Sequence, residues 1–450
     1  MMNIDMSIIP LIIVTIFVAC LVIKIPVAFC MAFSAIVCIF LMGMDYRIVP
    51  QLWTNALKSY TISAIPFFVL AGNIMNTGGI TKRIFNFAKV LVGHIAGGLG
   101  HVVILACMIF SGISGSFTAD AAGIGTIAKK AMDDQGYERE FGAAIVCAAS
   151  ILGPIIPPSI LFVYYAAITG VSVSDLFMAG MIPGILAGIL LMVCCFLFVK
   201  SGKVKAPTYE RASRHEVWVA FKDSILAILA PVIIIGGMLT GWVTPTEAAI
   251  LACMYSILVS VIYKDMSWKD MPKILLGSAI TSANAQFLVS AASMIGWVVT
   301  YTQVPKLLSG FITGFTSNVA VVLLLINIYL LIQGCFIDTT SGEILITPIL
   351  FPIAQMFGIN TLQFGIIICY NLILGALTPP MGAGLYLVSS VTDTKVEKLI
   401  PRLLPFFAVH IVMLTLITYI PAIMADAVLQ LAARACGEME AGPRAAPLPL

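Results

Sequence analysis

The sequence predicts an all-α polytopic membrane protein with two inverted-topology repeats. Of its 450 residues, 60% are hydrophobic and only 10% are charged, whereas roughly a quarter of an ordinary soluble chain is charged. Apolar runs long enough for membrane helices recur along the chain. The segment 152–159, LGPIIPPS, returns at 374–382 as LGALTPPMG, with its glycine and its proline pair displaced by 222 positions. Broken apolar segments at matching places in two halves are typical of a transporter's binding site.

The hydrophobic pattern predicts ten membrane-spanning segments. We place them at about 8–23, 27–43, 60–76, 141–169, 176–199, 224–242, 246–263, 276–302, 364–392 and 403–424. The fourth and the ninth of these contain the repeated glycine–proline motif, so we expect both to be interrupted helices.

Two further apolar stretches, about 95–128 and about 317–350, contain breaks that a straight helix would not tolerate. Glycines interrupt the first stretch, and the sequence DTTSG at 338–342 interrupts the second. We expect each arm to be too short to cross a hydrocarbon core of about 30 Å. Non-helical backbone at that depth is tolerated only inside protein or against a water-filled cavity. Both stretches are therefore predicted to be re-entrant hairpins.

The positive charges predict how these elements are oriented, because cytoplasmic loops are enriched in Lys and Arg. Basic residues flank the first hairpin on both sides, whereas no Lys or Arg occurs between 307 and 394, around the second hairpin. The first hairpin should therefore enter from the cytoplasm and the second from the periplasm. Five crossings and one hairpin fill each half, and an odd number of crossings inverts the second half. The resulting division is a first repeat at 1–199, a linker at 200–223, a second repeat at 224–424, and a tail at 425–450 that we exclude from the fold.

The linker at 200–223 carries six Lys or Arg residues with Val217, Trp218 and Phe221 between them. A basic segment with interleaved apolar side chains favours a position along the inner membrane interface. The alternative is a solvated loop.

The two glycine–proline breaks predict cation sites. In 153–158, three prolines remove amide donors and free carbonyl oxygens, and in the second break Thr378 adds a hydroxyl. Such oxygens suit a small hard cation, for which Na⁺ is the natural candidate. A structural proline kink is the alternative. Because the same break occurs twice, at the same spacing and beside a broken hairpin each time, coordination is favoured.

Polar residues at the two hairpin turns could complete these sites. The first turn offers Ser114 and Ser116, and the second offers Asp338, Thr339 and Thr340. Ionisable residues inside a membrane are costly and are functional candidates by default. In this chain they are Asp120, Asp338 and Glu343. Glu247 has a different interpretation, because Thr244, Pro245 and Glu247 form the pattern of a helix capping box.

The sequence contains no zinc-protease, serine-hydrolase or Walker A motif. We therefore expect no enzymatic activity, no cofactor apart from a coupling ion, and an ion gradient as the source of energy. No feature of the chain indicates a nucleic-acid partner.

Several segments together resemble the large membrane subunit of the tripartite ATP-independent periplasmic (TRAP) transporters. They are Ile25–Phe29, Ile65–Gly72, Ser111–Asp120, Gly153–Ser159, Thr244–Ala249 and Gly375–Pro380, and the resemblance covers about 8–424. It implies a bacterial inner-membrane, elevator-type secondary transporter of the ion-transporter superfamily with scaffold and transport domains. It also implies Na⁺-coupled uptake of an organic acid, a periplasmic substrate-binding protein and a small four-helix membrane subunit.

The resemblance also implies site residues. Carried over by motif, the Na⁺ ligands are Ser114, Ser116, Gly153 and Ile156 at one site, and Asp338, Gly375, Thr378 and Met381 at the other. Candidate substrate contacts are Asn73, Ser116, Pro157, Thr339 and Pro379. One position departs from the family pattern, since Phe117 stands where a hydroxyl residue is expected.

Three functions therefore compete. The first is the TRAP subunit, with a C4-dicarboxylate, a sialic or other sugar acid, or a keto acid as substrate. The second is a self-sufficient Na⁺/dicarboxylate symporter of related fold, which would need no small subunit. The third is a membrane-embedded enzyme, which the sequence disfavours because Asp120 and Asp338 lie in opposite hairpins without a paired His.

Overall fold

The computed structural model describes residues 8–420, apart from 78, 203, 205 and 380, and these residues form nineteen α-helices and no strand. The first half contains α1 (Ile9–Val22), α2 (Val27–Leu41), α3 (Ile48–Leu57), α4 (Ala64–Thr77), α5 (Ile80–Val92), α6 (Leu99–Ser114), α7 (Phe117–Gln135), α8 (Arg139–Ser150), α9 (Ile160–Thr169) and α10 (Val173–Lys200). The second half contains α11 (Arg214–Leu239), α12 (Pro245–Tyr263), α13 (Met271–Tyr301), α14 (Val304–Phe315), α15 (Val319–Phe336), α16 (Thr339–Met356), α17 (Thr361–Gly375), α18 (Ala383–Thr392) and α19 (Val396–Tyr419). Pro380 and the tail at 425–450 lie outside the described residues.

The helices of the two halves follow one order. Shifted by 222 positions, the hairpin arms α6 and α7 fall on α15 and α16, and α8 and α9 fall on α17 and α18. Among the described helices, the halves differ at one place. The first half has two separate helices, α3 and α4, and at the corresponding positions the second half has a single helix of 31 residues, α13. The second half has alanines at 279, 283 and 285, where the first has polar residues around Ser59–Ser63, and alanine is the strongest helix former.

Both glycine–proline segments interrupt their helices, as the sequence predicts. The first break separates α8, which ends at Ser150, from α9, which begins at Ile160. The second separates α17, which ends at Gly375, from α18, which begins at Ala383. Ser159 caps α9 by accepting a hydrogen bond from the Phe162 amide over 3.2 Å, a role that serine favours at helix starts.

Six helices among the described residues are long and apolar enough to cross a membrane, namely α10, α11, α12, α13, α15 and α19. The expectation that both arms of each hairpin are too short is therefore wrong for α15, whose 18 predominantly apolar residues suffice for a crossing helix. Its partner α16 has the same length but contains Glu343 and two prolines, and it is not among the six. The re-entrant path of α15–α16 stays a prediction.

The contacts divide the helices into two groups. In one group, α2 packs against α13 and α4 against α12, so the two halves are joined. In the other, each hairpin packs against both broken helices: α7 lies against α8 and α18, and α16 lies against α17 and α9. The hairpins and the breaks therefore meet inside one body, which brings together the elements that the sequence predicts to be functional.

The predicted linker at 200–223 is partly helical, because α11 begins at Arg214 with a capping box between Ser213 and Glu216. Its preceding segment is held against the start of the first hairpin, where the Tyr209 amide donates to the Gly93 carbonyl over 3.0 Å. The helix α5 lies against α11. The linker is thus a docked segment, and its position at the membrane interface stays a prediction.

Candidate ion and substrate site

The first hairpin buries a carboxyl group at its turn. Gly115 has a left-handed φ of 59°, which glycine adopts at little cost, and Ser116 then begins α7. One turn later Asp120 is fully buried. Its Oδ2 accepts a hydrogen bond from Ser111 over 2.8 Å, and its Oδ1 accepts one from the Ser114 hydroxyl.

This turn lies directly on the first break. The amide of Ile160 donates to the Gly115 carbonyl over 3.2 Å. A Cβ atom on Gly153 would stand 2.7 Å from Oδ2 of Asp120 and 2.9 Å from the Ser116 carbonyl oxygen, so any side chain would clash. Three of the four ligands predicted for the first Na⁺ site are therefore grouped around Asp120.

The fourth predicted ligand, Ile156, lies in the same break. Its amide donates to the Leu152 carbonyl over 2.8 Å. Its side chain packs toward Gly184 of α10, where an added Cβ would be only 2.5 Å away. The side chain thus faces α10, so any contribution of Ile156 to the site falls to its backbone.

The second hairpin meets the second break through two glycines. A Cβ on Gly375 would stand 2.7 Å from the Cα of Gly334 and 2.9 Å from the Leu331 carbonyl oxygen. Backbone packs against backbone here, and a flexible side chain that could give way is not involved. Asp338 starts α16 as its N-cap, where its Oδ2 accepts from the Ser341 amide over 3.0 Å.

The second predicted Na⁺ site is less tightly grouped than the first. Thr378 donates from its hydroxyl to the Leu374 carbonyl over 3.1 Å. The Met381 side chain is 62% exposed. No hydrogen bond within the described part of the chain joins Asp338 to Gly375, Thr378 or Met381. The structure brings Gly375 to the hairpin, but it does not close the predicted ring of ligands.

Both hairpin turns line one cavity of about 840 Å³. The first hairpin supplies 115–118 and the second supplies 338–341, while 26–29 at the start of α2 and 281–288 of α13 form the opposite wall, with Tyr164 also in the lining. The cavity therefore lies between the two groups of helices. It is large enough for a small organic molecule.

The lining of this cavity is largely apolar, with polar groups interspersed, and Asp338 is the one charged residue among the described lining residues. Hydroxyl and amide groups come from both walls, including Ser116, Thr118, Thr281 and Asn284. The N-cap residues of α7 and α16 are both in the lining, and the N-terminal end of a helix favours anions. No group of three His, Cys, Asp or Glu side chains that could hold a metal occurs among the described residues.

The five predicted substrate contacts separate into two sets. Ser116 and Thr339 line the cavity. Asn73 lies elsewhere, because its amide donates to Ser278 of α13 over 2.8 Å. Pro157 is buried within the first break, and Pro379 is exposed in the second, and neither is in the cavity lining.

The three ionisable candidates have different environments, and only Asp120 and Glu343 are buried, whereas Asp338 is exposed. Asp120 lies at the first turn and Asp338 at the cavity wall. Glu343 is fully buried between α16 and α17, where it accepts a hydrogen bond from the Cys369 thiol over 3.3 Å. Glu247 forms the predicted capping box with Thr244.

Sequence reasoning left two parts of the site out of the predicted ligand sets. Asp120 was a functional candidate as an ionisable residue inside the membrane, but it was not assigned as an ion ligand, and Ser111 appeared only as part of a motif. Serines at 111 and 114 precede the carboxylate by nine and six positions across the turn. The polar face of α13, with Thr281 and Asn284, was missed, because it lies inside an apolar run. Isolated polar residues in that run were the available signal.

The sequence matches a known transporter family over most of its length. The model of the DctM component of the tripartite ATP-independent periplasmic transporters matches residues 14–423. The chain belongs to this family. It is 40% identical over 400 residues to the sialic acid TRAP transporter large permease protein SiaM of Vibrio cholerae, covering 88% of this chain and 93% of the relative. It is also 40% identical over 367 residues to the C4-dicarboxylate TRAP transporter large permease protein DctM of Pseudomonas aeruginosa, covering 81% and 86%. The DctM-family chain is thus a multi-pass inner-membrane protein.

A solved structure shares the fold. The crystal structure of the Alcanivorax borkumensis YdaH transporter superimposes with a TM-score of 0.62, covering 82% of this chain and 86% of that one. The sequence identity is 13%, so the likeness concerns the fold alone.

Proposed function

We propose that this DctM-family chain is the large membrane subunit of a Na⁺-coupled transporter that imports an organic acid delivered by a periplasmic binding protein. One observation carries the proposal. Both hairpin turns line a single cavity, and each hairpin is packed against a proline-broken helix. Ion sites and substrate site are then neighbours, as coupled transport requires.

The first ion site has the stronger chemical support. Asp120 is fully buried, and none of the ion pairs among the described residues involves it. Ser111 also lies 2.6 Å from the Cys107 carbonyl, so its one hydroxyl hydrogen is shared between that oxygen and Asp120. A buried carboxylate with so little compensation is costly. A Na⁺ ion among Asp120, Ser114 and the break would remove that cost.

The cavity offers a reason for coupling. An organic acid is an anion, and the N-terminal ends of α7 and α16 favour it, but the Asp338 carboxylate at the wall repels it. A cation bound beside the second hairpin offsets that repulsion. Substrate binding then depends on Na⁺ without a Lys or Arg in the described lining.

The substrate class is proposed from the names of the relatives. One relative carries sialic acid in its name and another C4-dicarboxylate, and keto acids are the third class we expect. A small four-helix membrane subunit is the second proposed partner. We assign no enzymatic activity, no cofactor other than the coupling ion and no nucleic-acid partner.

An elevator motion is proposed from a second cavity. It measures about 430 Å³ and lies farther along α13, from Val289 to Thr300, against α9 and α16. The central cavity uses Thr281 to Leu288 of the same helix. The midpoints of the two stretches are about ten residues apart, so a movement of the hairpins from the first stretch to the second would be about 15 Å at about 1.5 Å per residue.

Reconstitution tests the proposal. In proteoliposomes with the small subunit and the binding protein, an inward Na⁺ gradient should drive uptake of one of the candidate acids, and a K⁺ gradient should not. The chain alone should show no uptake. Robust Na⁺-driven uptake by the chain alone would favour the self-sufficient symporter instead.

A further inference from the structure

One buried histidine is hydrogen-bonded to both broken helices. His410 of α19 is fully buried. Its Nδ1 lies 2.7 Å from the Tyr370 hydroxyl on α17, and its Nε2 lies 3.1 Å from the Ala148 carbonyl on α8. No part of the ion or substrate site uses this residue.

The contact with a carbonyl defines which nitrogen of the ring donates. A carbonyl oxygen can only accept, so Nε2 carries the hydrogen that is donated to Ala148. In the neutral ring, Nδ1 then accepts from the Tyr370 hydroxyl. Both nitrogens of the His410 imidazole are thus paired, one to each half of the protein.

The two partners occupy matching positions, since Ala148 and Tyr370 are 222 positions apart. Each lies on the helical piece that leads into a break: α8 ends at Ser150, and α17 ends at Gly375. His410 therefore bridges the same point of the two repeats, just ahead of both breaks.

The contact with Ala148 also repairs the helix end. In a regular helix the Leu152 amide would donate to the Ala148 carbonyl, but here it donates to Ala149 over 3.1 Å. Among the described residues, the only backbone amide that donates to the Ala148 carbonyl is that of Ile151, three residues later, over 3.3 Å. Carbonyls at a helix end need outside donors, and His410 supplies one where the break begins.

We propose that His410 is a positioning residue that holds the two broken helices in fixed register, so that both predicted Na⁺ sites keep their geometry together. The inference rests on the proposed function, because it concerns the same ion sites. It assigns the role to a residue that touches neither the ion ligands nor the cavity lining.

Two substitutions separate the two contacts. In His410→Asn the amide oxygen lies as many bonds from Cα as Nδ1, so the Tyr370 contact can persist while Ala148 is lost. In His410→Gln the amide nitrogen lies as many bonds from Cα as Nε2, so the Ala148 contact can persist while Tyr370 is lost. Tyr370→Phe removes a single hydroxyl and is the mildest variant if either His410 variant fails to fold.

The measurement is the melting temperature of the purified full chain during titration with NaCl, with KCl at matched ionic strength as reference. We expect each variant to raise the half-effective Na⁺ concentration by about threefold or more. The same rise should appear in an Asp120→Asn background, where only the second site is intact, and in a Thr378→Val background, where only the first site is intact. His101→Gln is the matched control, because His101 also contacts one carbonyl, that of Ala96 at 3.0 Å, but lies at the start of α6. It should lower the melting temperature equally in Na⁺ and K⁺.

Variants that lose stability equally in both salts, with an unchanged half-effective Na⁺ concentration, would show that His410 is only a structural contact. A rise of the half-effective Na⁺ concentration in one background alone would also overturn the inference, because a residue that positions both broken helices must affect both sites. A wild-type chain with no Na⁺-specific stabilisation would instead reject the proposed ion sites, and the role of His410 with them.

Discussion

The Ser111 hydroxyl donates to Oδ2 of Asp120 over 2.8 Å, across the turn of the first hairpin. At the positions 222 residues later, the side-chain amide of Gln333 donates to the Gly342 carbonyl over 3.2 Å, across the turn of the second. Both hairpins are thus closed by a side chain at the same place, but only the first presents a carboxylate there. The two halves share a framework and differ in charge, so we expect their ion sites to differ in chemistry.

The first prediction concerns that carboxylate. Asp120→Asn keeps the shape of the side chain, and its one oxygen can still accept from one of the two serines, but it removes the negative charge that we expect to hold Na⁺. Loss of one charged ligand in a buried site should weaken Na⁺ binding by about tenfold or more, equivalent to about 1.4 kcal/mol. The Na⁺ dependence of the melting temperature measures this.

Asp134→Asn provides the control for Asp120, because it makes the same chemical change on the same helix at an exposed position. It should leave the Na⁺ response unchanged. If Asp120→Asn binds Na⁺ as well as the wild type does, the carboxylate is not an ion ligand.

A second prediction concerns the glycine contact between the second hairpin and its break. In Gly375→Ala the new methyl would stand 2.7 Å from the Cα of Gly334, and backbone cannot move aside as a flexible side chain can. We expect a loss of stability on the order of 1–3 kcal/mol. Thermal unfolding of the purified chain checks it.

Gly277→Ala is the matched control for this contact. Gly277 lies inside α13, and an added Cβ there would meet nothing within 4 Å. Alanine should be neutral or slightly stabilising at that position. Equal melting temperatures for the two alanine variants would mean that the hairpin is not packed against the break.

Repetition and hydropathy were sufficient to predict an all-α membrane protein and the places where its helices are interrupted. The breaks before Ile160 and Ala383 and the turns at Gly115 and Asp338 occur where the sequence predicts them, because proline and glycine act locally on the backbone. The prediction that every hairpin arm is too short to cross the membrane was less accurate. An 18-residue α15 satisfies the rule for a crossing helix, so its path depends on tertiary packing that local sequence does not contain.

The site was predictable only in part, for a similar reason. Ser114, Ser116 and Gly153 belong to recognisable motifs, and the structure brings them together. The wall formed by Thr281 and Asn284 comes from a helix of the other half, and a pattern in one segment says nothing about which distant helix will face it. Asn73 illustrates the reverse case, since a polar residue in an apolar run proved to contact Ser278 of another helix.

A third prediction tests the inverted topology. The charge pattern places 301–318 and the N-terminus in the periplasm, and 82–94, 129–139 and 200–222 in the cytoplasm. Ser317→Cys and Ser201→Cys are conservative replacements at exposed positions on the two proposed sides. In a background without the eleven native cysteines, an impermeant maleimide should label position 317 in intact cells and position 201 only after lysis. Labelling of position 201 from outside would exclude the inverted-repeat arrangement.

The last prediction concerns Na⁺ at the second break. Thr378 donates its hydroxyl hydrogen to the Leu374 carbonyl, which leaves the oxygen lone pairs of Thr378 available to a cation. Thr378→Val keeps the shape and replaces that oxygen with a methyl group. An unsatisfied polar contact costs a few kcal/mol. The loss of this ligand should therefore raise the half-saturating Na⁺ concentration for uptake by about tenfold or more. Proteoliposomes with all components present provide the measurement.

Thr392→Val is the matched control for this change. Thr392 makes the same bond to the carbonyl four residues earlier, that of Val388 over 2.7 Å, but within the regular helix α18. Because no break frees other oxygens around it, its replacement should leave the Na⁺ dependence of uptake unchanged. If Thr378→Val and Thr392→Val both keep the wild-type half-saturation, the repeated glycine–proline break is a structural kink. A higher half-saturating Na⁺ concentration in Thr378→Val alone would identify the break as an ion site, because each variant loses one threonine hydroxyl and its hydrogen bond to the carbonyl four residues earlier.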